Sequence, residues 1–581
     1  MILQTTKGFS GGSFTTELFP LGAWCGADDQ RPSRTAEDLE SDKDVDVPQA
    51  TIEIVEWLER CTFQALNDLH NVNFTSTTWR HTLGTYFRVL VPLLLERYNL
   101  ISRSIDQVGC TDYTCVKTEQ DQMIPNSRND LQVLVNSHIW NHHVIGLMCE
   151  QLGLVARSPQ QFDADLLSTL DTSSPARRRN RSNWRSFLQF LSNSISRRSG
   201  VLITQTLLPK KTEVALCLRN RTLPYFWTQD FTYSDEIDRR SRDALRSALV
   251  TTKSLHAMIG EIAVSLIPRL YIEDFQRHRE KAQEKLPRSP KVIFTSHLHM
   301  ASEEFLLWVA EKKQGGCWVC IGQHGGVHCL ADQMPAEVTA EIEIADTYLS
   351  WGKFADSIPN GVRSPILVNV GRRPSHDFSP LNKNDITLVL DIPYRYPSMP
   401  RGMSCNRFDY AESVNLLLEG LGTDKNLAVG LRLHQATSGV SDPILPLIRT
   451  TSGVRVDHGV GPINDVYRSS RLIVTTSIGT TFFQTLHRDI PTVMLLKEGC
   501  SSLSPWASHE LQPLRDASIL FSDERDLTNH LNLLDNGFED WWHQVETQAA
   551  RKAFLETFSI ATTSDVLFYK HAILPTHSDG I

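Results

Sequence analysis

The chain has 581 residues, of which 41% are apolar and 22% are charged, and its net charge at pH 7 is −9. This length exceeds what one hydrophobic core organises, so we expect a globular protein of two or three domains. The acidic balance argues against a surface built for nucleic acid, and we expect no nucleic-acid partner.

The beginning of the chain does not read as an export signal. Met1–Phe14 lacks the apolar segment of a signal peptide, and no run approaches the ~18 apolar residues of a membrane span. We therefore expect a cytosolic protein whose cysteines are reduced. The first strand is predicted within Thr15–Cys25.

The region that follows is predicted to be helical. Apolar residues recur near a 3.6-residue period in Thr51–Leu69 and Trp79–Tyr98, and Asp130–Leu154 supplies another helix. We interpret these helices as an insertion in an N-terminal α/β domain.

A basic stretch interrupts this otherwise acidic chain, because residues 176–181 read ARRRNR. Two interpretations remain open. The stretch is either a solvated loop and helix face, or Arg177–Arg181 contacts an anionic phospholipid surface or a lipid-linked phosphate. The second interpretation would make the protein peripheral to the inner face of a membrane.

From Val214 onward, strands and helices alternate. The predicted strands of this region are Val214–Leu218, Lys291–Phe294, Cys317–Ile321 and Thr347–Ser350. The last three end at polar residues or at a glycine turn. This series is typical of an open parallel sheet, in which ligands bind beyond the carboxyl ends of the strands.

Histidines follow two of these strands. His324 is the first candidate for a general base, because an imidazole with a pKa near ~6.5 accepts a proton at neutral pH without much tuning. His297 and His299 are second candidates, at the end of the neighbouring strand. The alternative for each is a histidine that only hydrogen-bonds a loop. The residues assigned to the acceptor side, next to His324, are Gln323, Gly325 and Gly326.

Residues 355–384 are rich in Pro, Gly, Arg and Asn and are predicted to be a linker. The linker would separate an N-terminal domain of residues 1–354 from a C-terminal domain of residues 385–581. A second alternating series follows the linker, and the chain finishes in helices at Asp523–Leu534 and Phe538–Phe558. The predicted strands of this series are Ile386–Leu390, Leu427–Leu433, a shorter one near Val454–Asp457, Leu472–Thr475 and Thr492–Leu496.

The turn after Leu472–Thr475 is the sharpest candidate for a ligand site, since it is small, rich in hydroxyls and followed by a helix. Backbone N–H groups and the positive end of a helix dipole suit a phosphate. The alternative is an ordinary turn in which a Ser or Thr caps the helix. The residues proposed to bind the phosphate are Ser477, Gly479, Thr480 and Thr481.

The predicted fold is α/β, with two Rossmann-like domains that face each other across a cleft and a helical insertion in the first. Glycosyltransferases of the GT-B architecture have this organisation, and so do some epimerases and kinases. Architecture alone therefore leaves the function open.

Short motifs along nearly the whole chain resemble transferases encoded in surface-polysaccharide (O-antigen and related) loci, a GT-B-like group. The resemblance implies transfer of a sugar from a nucleotide sugar to a surface glycan or its lipid-linked precursor. The motifs, in the order of the family, are Leu21–Cys25, Leu66–Arg80, Lys291–Ser296, Ile321–Gly326, Ala345–Gly352, Arg432-Leu433, Gly479–Thr481, Ile490–Thr492 and Trp541-Trp542.

The C-terminal half is similar, more widely, to Kdo- and sialic-acid-type transferases that use CMP-activated sugars. Two positions depart from that pattern. His434 is followed by Gln435 where those enzymes have a His-Pro motif, and Gln484 stands where many GT-B enzymes have a glutamate that holds the donor. The resemblance therefore leaves the donor nucleotide open.

Glycosyl transfer requires stabilisation of the leaving phosphate, removal of a proton from the acceptor and correct alignment of both. We expect positive charge from Arg395 or Arg432, for which a surface salt bridge is the alternative. The further residues assigned to the donor are Tyr396, His434 and Gln484.

We expect neither a metal nor another cofactor. No Asp-x-Asp pair stands at a strand end, so a metal-independent reaction is favoured. Cys317 and Cys320 lie three residues apart on a predicted strand, where side chains alternate between faces, so a shared metal is not expected.

The leading hypothesis is therefore a glycosyltransferase with a nucleotide sugar as donor, and a CMP-activated acidic sugar is one candidate. A nucleotide-sugar epimerase or hydrolase on the same scaffold is one alternative. A component of a polysaccharide assembly complex without catalytic activity is the other.

Overall fold

The structure is a computed structural model. It describes residues 1–6, 17–26, 30–158, 183–229, 231–332, 336–365, 384–391, 395–396, 406–422, 427–434, 444–449, 454–497, 503–535, 537–560 and 566–574.

The strands of these residues form three parallel sheets. In chain order the strands are β1 (Ile2–Gln4), β2 (Leu18–Pro20), β3 (Asp112–Thr114), β4 (Val155–Arg157), β5 (Val201–Ile203), β6 (Val292–Thr295), β7 (Trp318–Gly322), β8 (Thr347–Trp351), β9 (Gly361–Ser364), β10 (Asn384–Val389), β11 (Val429–Arg432), β12 (Arg455–Asp457), β13 (Ser470–Thr475), β14 (Thr492–Leu495) and β15 (Leu520–Phe521).

The α-helices surround the sheets. In chain order they are α1 (Val47–His70), α2 (Ser76–Trp79), α3 (Thr85–Arg103), α4 (Gln120–Met123), α5 (Arg128–Leu134), α6 (His138–Gln151), α7 (Asn183–Ser196), α8 (Lys210–Arg219), α9 (Arg239–Ser247), α10 (Ser254–Ser265), α11 (Phe275–Lys285), α12 (Leu298–Ala301), α13 (Glu303–Gln314), α14 (Ala336–Ile344), α15 (Arg407–Gly422), α16 (Ile463–Ser469), α17 (Thr480–His487), α18 (Pro505–Glu510), α19 (Gln512–Asp516), α20 (Glu524–Leu533), α21 (Phe538–Trp542), α22 (Val545–Phe558) and α23 (Val566–Ala572).

The first sheet has the order β2-β1-β3-β4, and α1, α3 and α6 contribute to the core beside it. The strand β1 was not predicted, and of the described residues of the predicted strand Thr15–Cys25, Leu18–Pro20 form a strand. The predicted helix Asp130–Leu154 is divided into α5 and α6. The division occurs at Ser137, whose side chain accepts a hydrogen bond from Trp140 N and so starts a new helix.

The second sheet has the order β5-β6-β7-β8-β9. The strands predicted after β5 are confirmed as β6, β7 and β8, and residues 361–364 of the predicted linker form β9. The strand predicted at Val214–Leu218 is wrong, because these residues belong to α8. Leu216 and Cys217 are buried there while Val214 and Leu218 are exposed, so contacts with the rest of the protein decided between two patterns that are alike in sequence.

The third sheet has the order β12-β11-β10-β13-β14-β15, with every pair parallel. Numbered along the chain from β10, this is the 3-2-1-4-5-6 order of a Rossmann fold, and the chain reverses its direction of growth between β10 and β13. The predicted α/β class is confirmed, with several Rossmann-like parallel sheets.

The second and third sheets share one hydrophobic core. Phe483 of α17 lies against Trp351 of β8, with 5.8 Å between the ring centroids. The same ring covers Gly326, in the loop after β7, so closely that an added Cβ would lie 2.3 Å from it. The backbone N–H of Ser504 also donates to Leu330 O, at 3.0 Å.

Two further contacts link distant segments of the chain. Ile560, just after α22, forms a parallel bridge with Pro365, which follows β9. The Tyr396 side chain, after β10, is buried against the first sheet, and its hydroxyl lies 3.2 Å from Thr6 Oγ1. No α-helix in the described part of the chain combines the length and the apolar composition that crossing a bilayer requires.

We expect Gly326→Ala to destabilise the protein by about 1–3 kcal/mol, because the new methyl group would overlap the Phe483 ring. Urea denaturation measures the change. Gly461→Ala is the matched control, since an added Cβ there meets nothing within 4 Å, and its effect should stay within about 0.5 kcal/mol. Equal effects of the two substitutions would contradict the close contact.

Candidate active site

The crevice between β10 and β13 is where an open parallel sheet of this order binds ligands. Asp391 follows β10 and Thr476 follows β13, so both lie at this carboxyl edge. The Tyr410 hydroxyl of α15 connects them, since it accepts a hydrogen bond from Asp391 N at 2.8 Å and lies 2.5 Å from Thr476 Oγ1. The two sides of the crevice are thereby held at a defined separation.

The N-terminus of α17 points out of the turn after β13. Its N-cap residue is Gly479, which has no side chain to cap this end. A Cβ added at Gly479 would meet only Ser477 Oγ, at 3.5 Å, so the backbone is accessible here. The alternative of an ordinary turn with a Ser or Thr cap is therefore not supported. The predicted phosphate residues Ser477, Thr480 and Thr481 are all half-buried around this end.

Gln484 lies one turn further along α17. Its Oε1 accepts a hydrogen bond from the Tyr467 hydroxyl at 2.9 Å. Burial raises the pKa of Tyr467 to about 12, so this hydroxyl stays protonated and remains a donor. The contact holds Gln484 beside the helix N-terminus, where the sequence predicted a donor-binding residue.

Arg432 is used inside the protein. Its guanidinium donates to Asp457 Oδ2 at 2.5 Å and to the carbonyls of Gly459 and Gly461 at 3.2 and 2.7 Å. The guanidinium is buried and shapes the loop after β12, while its ion-pair partner Asp457 is 45% exposed, so Arg432 forms a salt bridge as the alternative expected. His434, two residues further on, is exposed.

Arg395 and Tyr396 reach the carboxyl edge of the first sheet. Arg395 Nη1 lies 2.9 Å from His138 Nε2, and the Tyr396 hydroxyl lies 2.7 Å from His138 Nδ1. Tyr396 also packs on Trp24, with ring centroids 5.1 Å apart, and the Arg97 guanidinium lies 4.5 Å from the Trp24 ring centre. Tyr396 is thus a packing residue between sheets. His138 is not among the residues predicted for the site, because its partners are far away in the chain.

A cluster of histidines around one carboxylate lies at the carboxyl edge of the second sheet. His299 Nε2 and His324 Nδ1 lie 3.3 and 3.4 Å from Glu341 Oε1, which α14 supplies. The His324 ring centroid is 4.4 Å from that of His328 and 5.8 Å from that of His297. The predicted histidines are therefore together, and Glu341 and His328 join them.

Burial dominates the electrostatics of this cluster. It raises the pKa of Glu341 from 4.5 to about 7, although the nearby His324 and Arg128 act in the opposite direction. It lowers the pKa of His299 to about 3 and the pKa values of His297, His324 and His328 below 6.5. The imidazoles are consequently neutral at neutral pH and able to accept a proton.

His324 is the member of the cluster suited to act as a base on a bound molecule. Its side chain is 20% exposed, whereas Glu341 is 1% exposed. Because Nδ1 faces the carboxylate, Nε2 is the nitrogen available to a substrate. A carboxylate behind a histidine orients the ring and stabilises the imidazolium that forms.

The residues predicted on the acceptor side shape the loop that carries His324. Gln323 is fully buried: its Oε1 accepts from Ser350 Oγ and Trp351 N, both at 2.9 Å, and its Nε2 donates to Gly325 O at 2.8 Å. A Cβ at Gly325 would lie 3.0 Å from His328 Nε2. The two acceptor-side glycines do not leave room for a substrate, since the His328 and Phe483 rings occupy the space beside them.

The same loop brings the two halves of the predicted site together. His324 is two residues from Gly326, which touches Phe483, and Phe483 is three residues from Thr480 at the start of α17. The base candidate and the phosphate candidate are therefore on adjacent segments. Glu341 could not have been found in the sequence, because an acidic residue in a helix is ordinary until its burial is known.

A separate cavity of about 680 Å³ lies on the other side of α14. Thr339 and Glu343 of α14 line it, together with Arg80 and His81 of a π-helical turn. Glu341 is not among its lining residues, so this cavity is distinct from the histidine cluster.

The whole chain was compared with protein families, curated proteins and solved structures. The sequence model of one protein family, described as LIC12162 family transferase, matches residues 1–568. No curated protein matches the chain. Among solved structures, the chain is similar to the wall teichoic acid polymerase TagF, with 13% identity, 51% of this chain and 84% of that chain covered, and a TM-score of 0.29.

Two other solved structures show comparable similarity. MurG from Acinetobacter baumannii is 10% identical over 64% of this chain and 98% of its own, with a TM-score of 0.29. UDP-GlcNAc 2-epimerase from Neisseria meningitidis is 10% identical over 61% of this chain and 98% of its own, with a TM-score of 0.34. Similarities this remote do not assign an activity.

Glu341→Gln should stabilise the protein at pH 8 relative to wild type by about 1–3 kcal/mol. The pKa of Glu341 is about 7 in the folded state against 4.5 ordinarily. Its contribution to stability is therefore complete below pH 4.5 and lost as the pH rises through 7, whereas glutamine stays neutral. Urea denaturation between pH 5 and pH 8.5, with a chelator present, measures the difference.

The control is Glu546→Gln, in the first turn of α22 and exposed, which should leave the pH dependence of wild type unchanged. A Glu341→Gln curve parallel to that of wild type would contradict the raised pKa.

Proposed function

The chain belongs to the LIC12162 family of transferases, and we propose that it transfers a glycosyl group from a nucleotide sugar to a hydroxyl of a surface glycan or its lipid-linked precursor. The observation that carries the proposal is the adjacency of two segments: a helix N-terminus with glycine at the N-cap, at a Rossmann switch point, and a loop with a histidine backed by a buried carboxylate.

The donor phosphate would bind at the N-terminus of α17. The backbone N–H groups there and the hydroxyls of Ser477, Thr480 and Thr481 can donate hydrogen bonds to it. Negative charge grows on the phosphate as the sugar departs, and donors fixed in place beforehand stabilise that charge more than they stabilise the ground state. The proposed reaction needs no metal ion at the phosphate.

The acceptor hydroxyl would lose its proton to Nε2 of His324. Its oxygen then forms a bond to the anomeric carbon, and the bond from that carbon to the phosphate oxygen breaks, so the nucleotide leaves with the electron pair. Glu341 is a positioning residue, because it faces Nδ1 and not the substrate.

The resemblance to CMP-sugar transferases makes a CMP-activated acidic sugar the first donor to test, and UDP- and GDP-sugars follow because of the departures at Gln435 and Gln484. In this proposal the reaction takes place at the cytosolic face of a membrane, because a lipid-linked acceptor is held there. Arg177–Arg181, the predicted membrane contact, lies outside the described residues and stays a prediction.

Incubation of the protein with CMP-, UDP- and GDP-sugars should give slow hydrolysis of one donor and a thermal shift with its nucleotide. Thr480→Val should weaken binding of that nucleotide by about 10- to 100-fold, the loss of one charge-assisted hydrogen bond. Isothermal titration calorimetry measures it.

Thr485→Val is the control on the same helix, because its hydroxyl donates to Phe482 O at 2.9 Å and is buried. Its nucleotide affinity should equal that of wild type. No turnover and no shift with any nucleotide would overturn the proposal, and a converted nucleotide sugar without acceptor would favour an epimerase or hydrolase.

His324→Ala should lower the rate of transfer by about 10²- to 10⁴-fold and leave donor affinity nearly unchanged, since the base acts on the acceptor. Steady-state kinetics with saturating donor measures the rate. His509→Ala, at an exposed position, is the control and should behave like wild type. Full activity of His324→Ala would remove His324 from the reaction.

A further inference from the structure

Three buried atoms of the histidine cluster approach one another without forming hydrogen bonds. His299 Nε2, His324 Nδ1 and Glu341 Oε1 have no partner of hydrogen-bond geometry among the described residues. Leaving buried polar atoms unpaired costs free energy. A site built this way suits an additional partner that accepts their lone pairs.

The distances between the ligand atoms of this cluster are similar to those between two ligands of one metal ion. Ligand atoms at about 2.0–2.2 Å from a tetrahedral zinc ion lie ~3.4 Å from one another. Glu341 Oε1 is 3.4 Å from His324 Nδ1. His324, His328 and Glu341 each offer one ligand atom, and these three atoms lie within 4.8 Å of one another.

The surroundings resemble those of a metal site as well. The Tyr348 hydroxyl lies 3.3 Å from His328 Nδ1, which leaves Nε2 of that ring as the ligand, and such outer contacts commonly orient ligating histidines. His324 is the partly exposed member and provides the entry. Arg128 lies nearby, with its Nη2 3.5 Å from the carbonyl oxygen of His299. Its positive charge would weaken the binding of a cation but does not fill the space between the ligand atoms.

We propose that His324, His328 and Glu341 form a site for Zn²⁺, with a fourth position open to water, and that zinc bound there inhibits the transferase. Imidazole and carboxylate are ligands that zinc accepts in tetrahedral sites. The cysteines Cys317 and Cys320 take no part, since burial raises the pKa of each thiol.

The inhibition rests on the proposed function, whereas the binding does not. A metal on Nδ1 of His324 uses the lone pair that faces Glu341, and the ring then carries its remaining proton on Nε2. That nitrogen becomes a hydrogen-bond donor and can no longer accept the proton of the acceptor hydroxyl. The metal would thus remove the base and leave the phosphate site at α17 unchanged.

Zinc binding is measured on the full chain after removal of metals with a chelator, by titration with ZnCl₂ against a chromogenic chelator at pH 7.5. We expect one equivalent of zinc per chain, with an affinity lowered at least tenfold by Glu341→Gln and by His328→Gln. Circular dichroism verifies that each variant is folded, and using two variants keeps the test valid if one does not fold.

Co²⁺ provides a second readout. It should give the visible spectrum of a tetrahedral site and no thiolate-to-metal band, which distinguishes this cluster from the scattered cysteines. His509→Gln, an exposed histidine, and His297→Gln, next to the cluster but outside the ligand set, should bind zinc like wild type. No stoichiometric zinc, or zinc that survives Glu341→Gln and His328→Gln, would overturn the site.

If a donor is turned over, zinc should reduce transfer in wild type by tenfold or more, with reversal by chelator and unchanged nucleotide affinity. Zinc binding without an effect on transfer would support the site and overturn the inhibition. Transfer in a protein that binds no zinc would overturn the metal site alone and leave the proposed function in place.

Discussion

The contact between Phe483 and Gly326 is the constraint on which the geometry of the site depends. Phe483 belongs to α17, the helix whose N-terminus is the phosphate candidate, and Gly326 belongs to the loop that carries His324. The absence of a side chain at Gly326 lets an aromatic ring cover the loop directly. The second and third sheets therefore share a core at the place where α17 meets the loop that carries His324.

The histidine cluster illustrates a conflict between stability and function. An apolar side chain at position 341 would satisfy the surrounding core, yet the chain has a carboxylate there whose pKa is raised by burial to about 7. Groups with opposed pKa shifts in one place are typical of sites that handle protons or bind ions. Both proposals for this site, a base and a zinc ligand, use the same feature: neutral imidazoles that keep a lone pair available at neutral pH.

Several site residues predicted from the sequence act as supports. Tyr396 packs on Trp24 and Arg432 holds the loop after β12, so the first fills an interface and the second shapes a turn. Gln323 does the same for the His324 loop. Their positions at or just after the carboxyl ends of β10, β11 and β7 were predicted correctly, because the end of a strand is visible in the pattern. The pattern does not show whether a polar side chain at a strand end faces a ligand or a neighbouring loop, because the partners of that side chain come from remote parts of the chain.

The sequence by itself determined the alternation of strands and helices, the α/β class, the turn before α17 and the histidines at the carboxyl edge of the second sheet. These features depend on local periodicity and on residue types within a few positions of each other. Only the tertiary structure decided that β1 exists, that Val214–Leu218 is helical and that Glu341 joins His324. Each of these depends on burial against residues distant in the chain, and burial is a property of the packed protein that no local pattern contains.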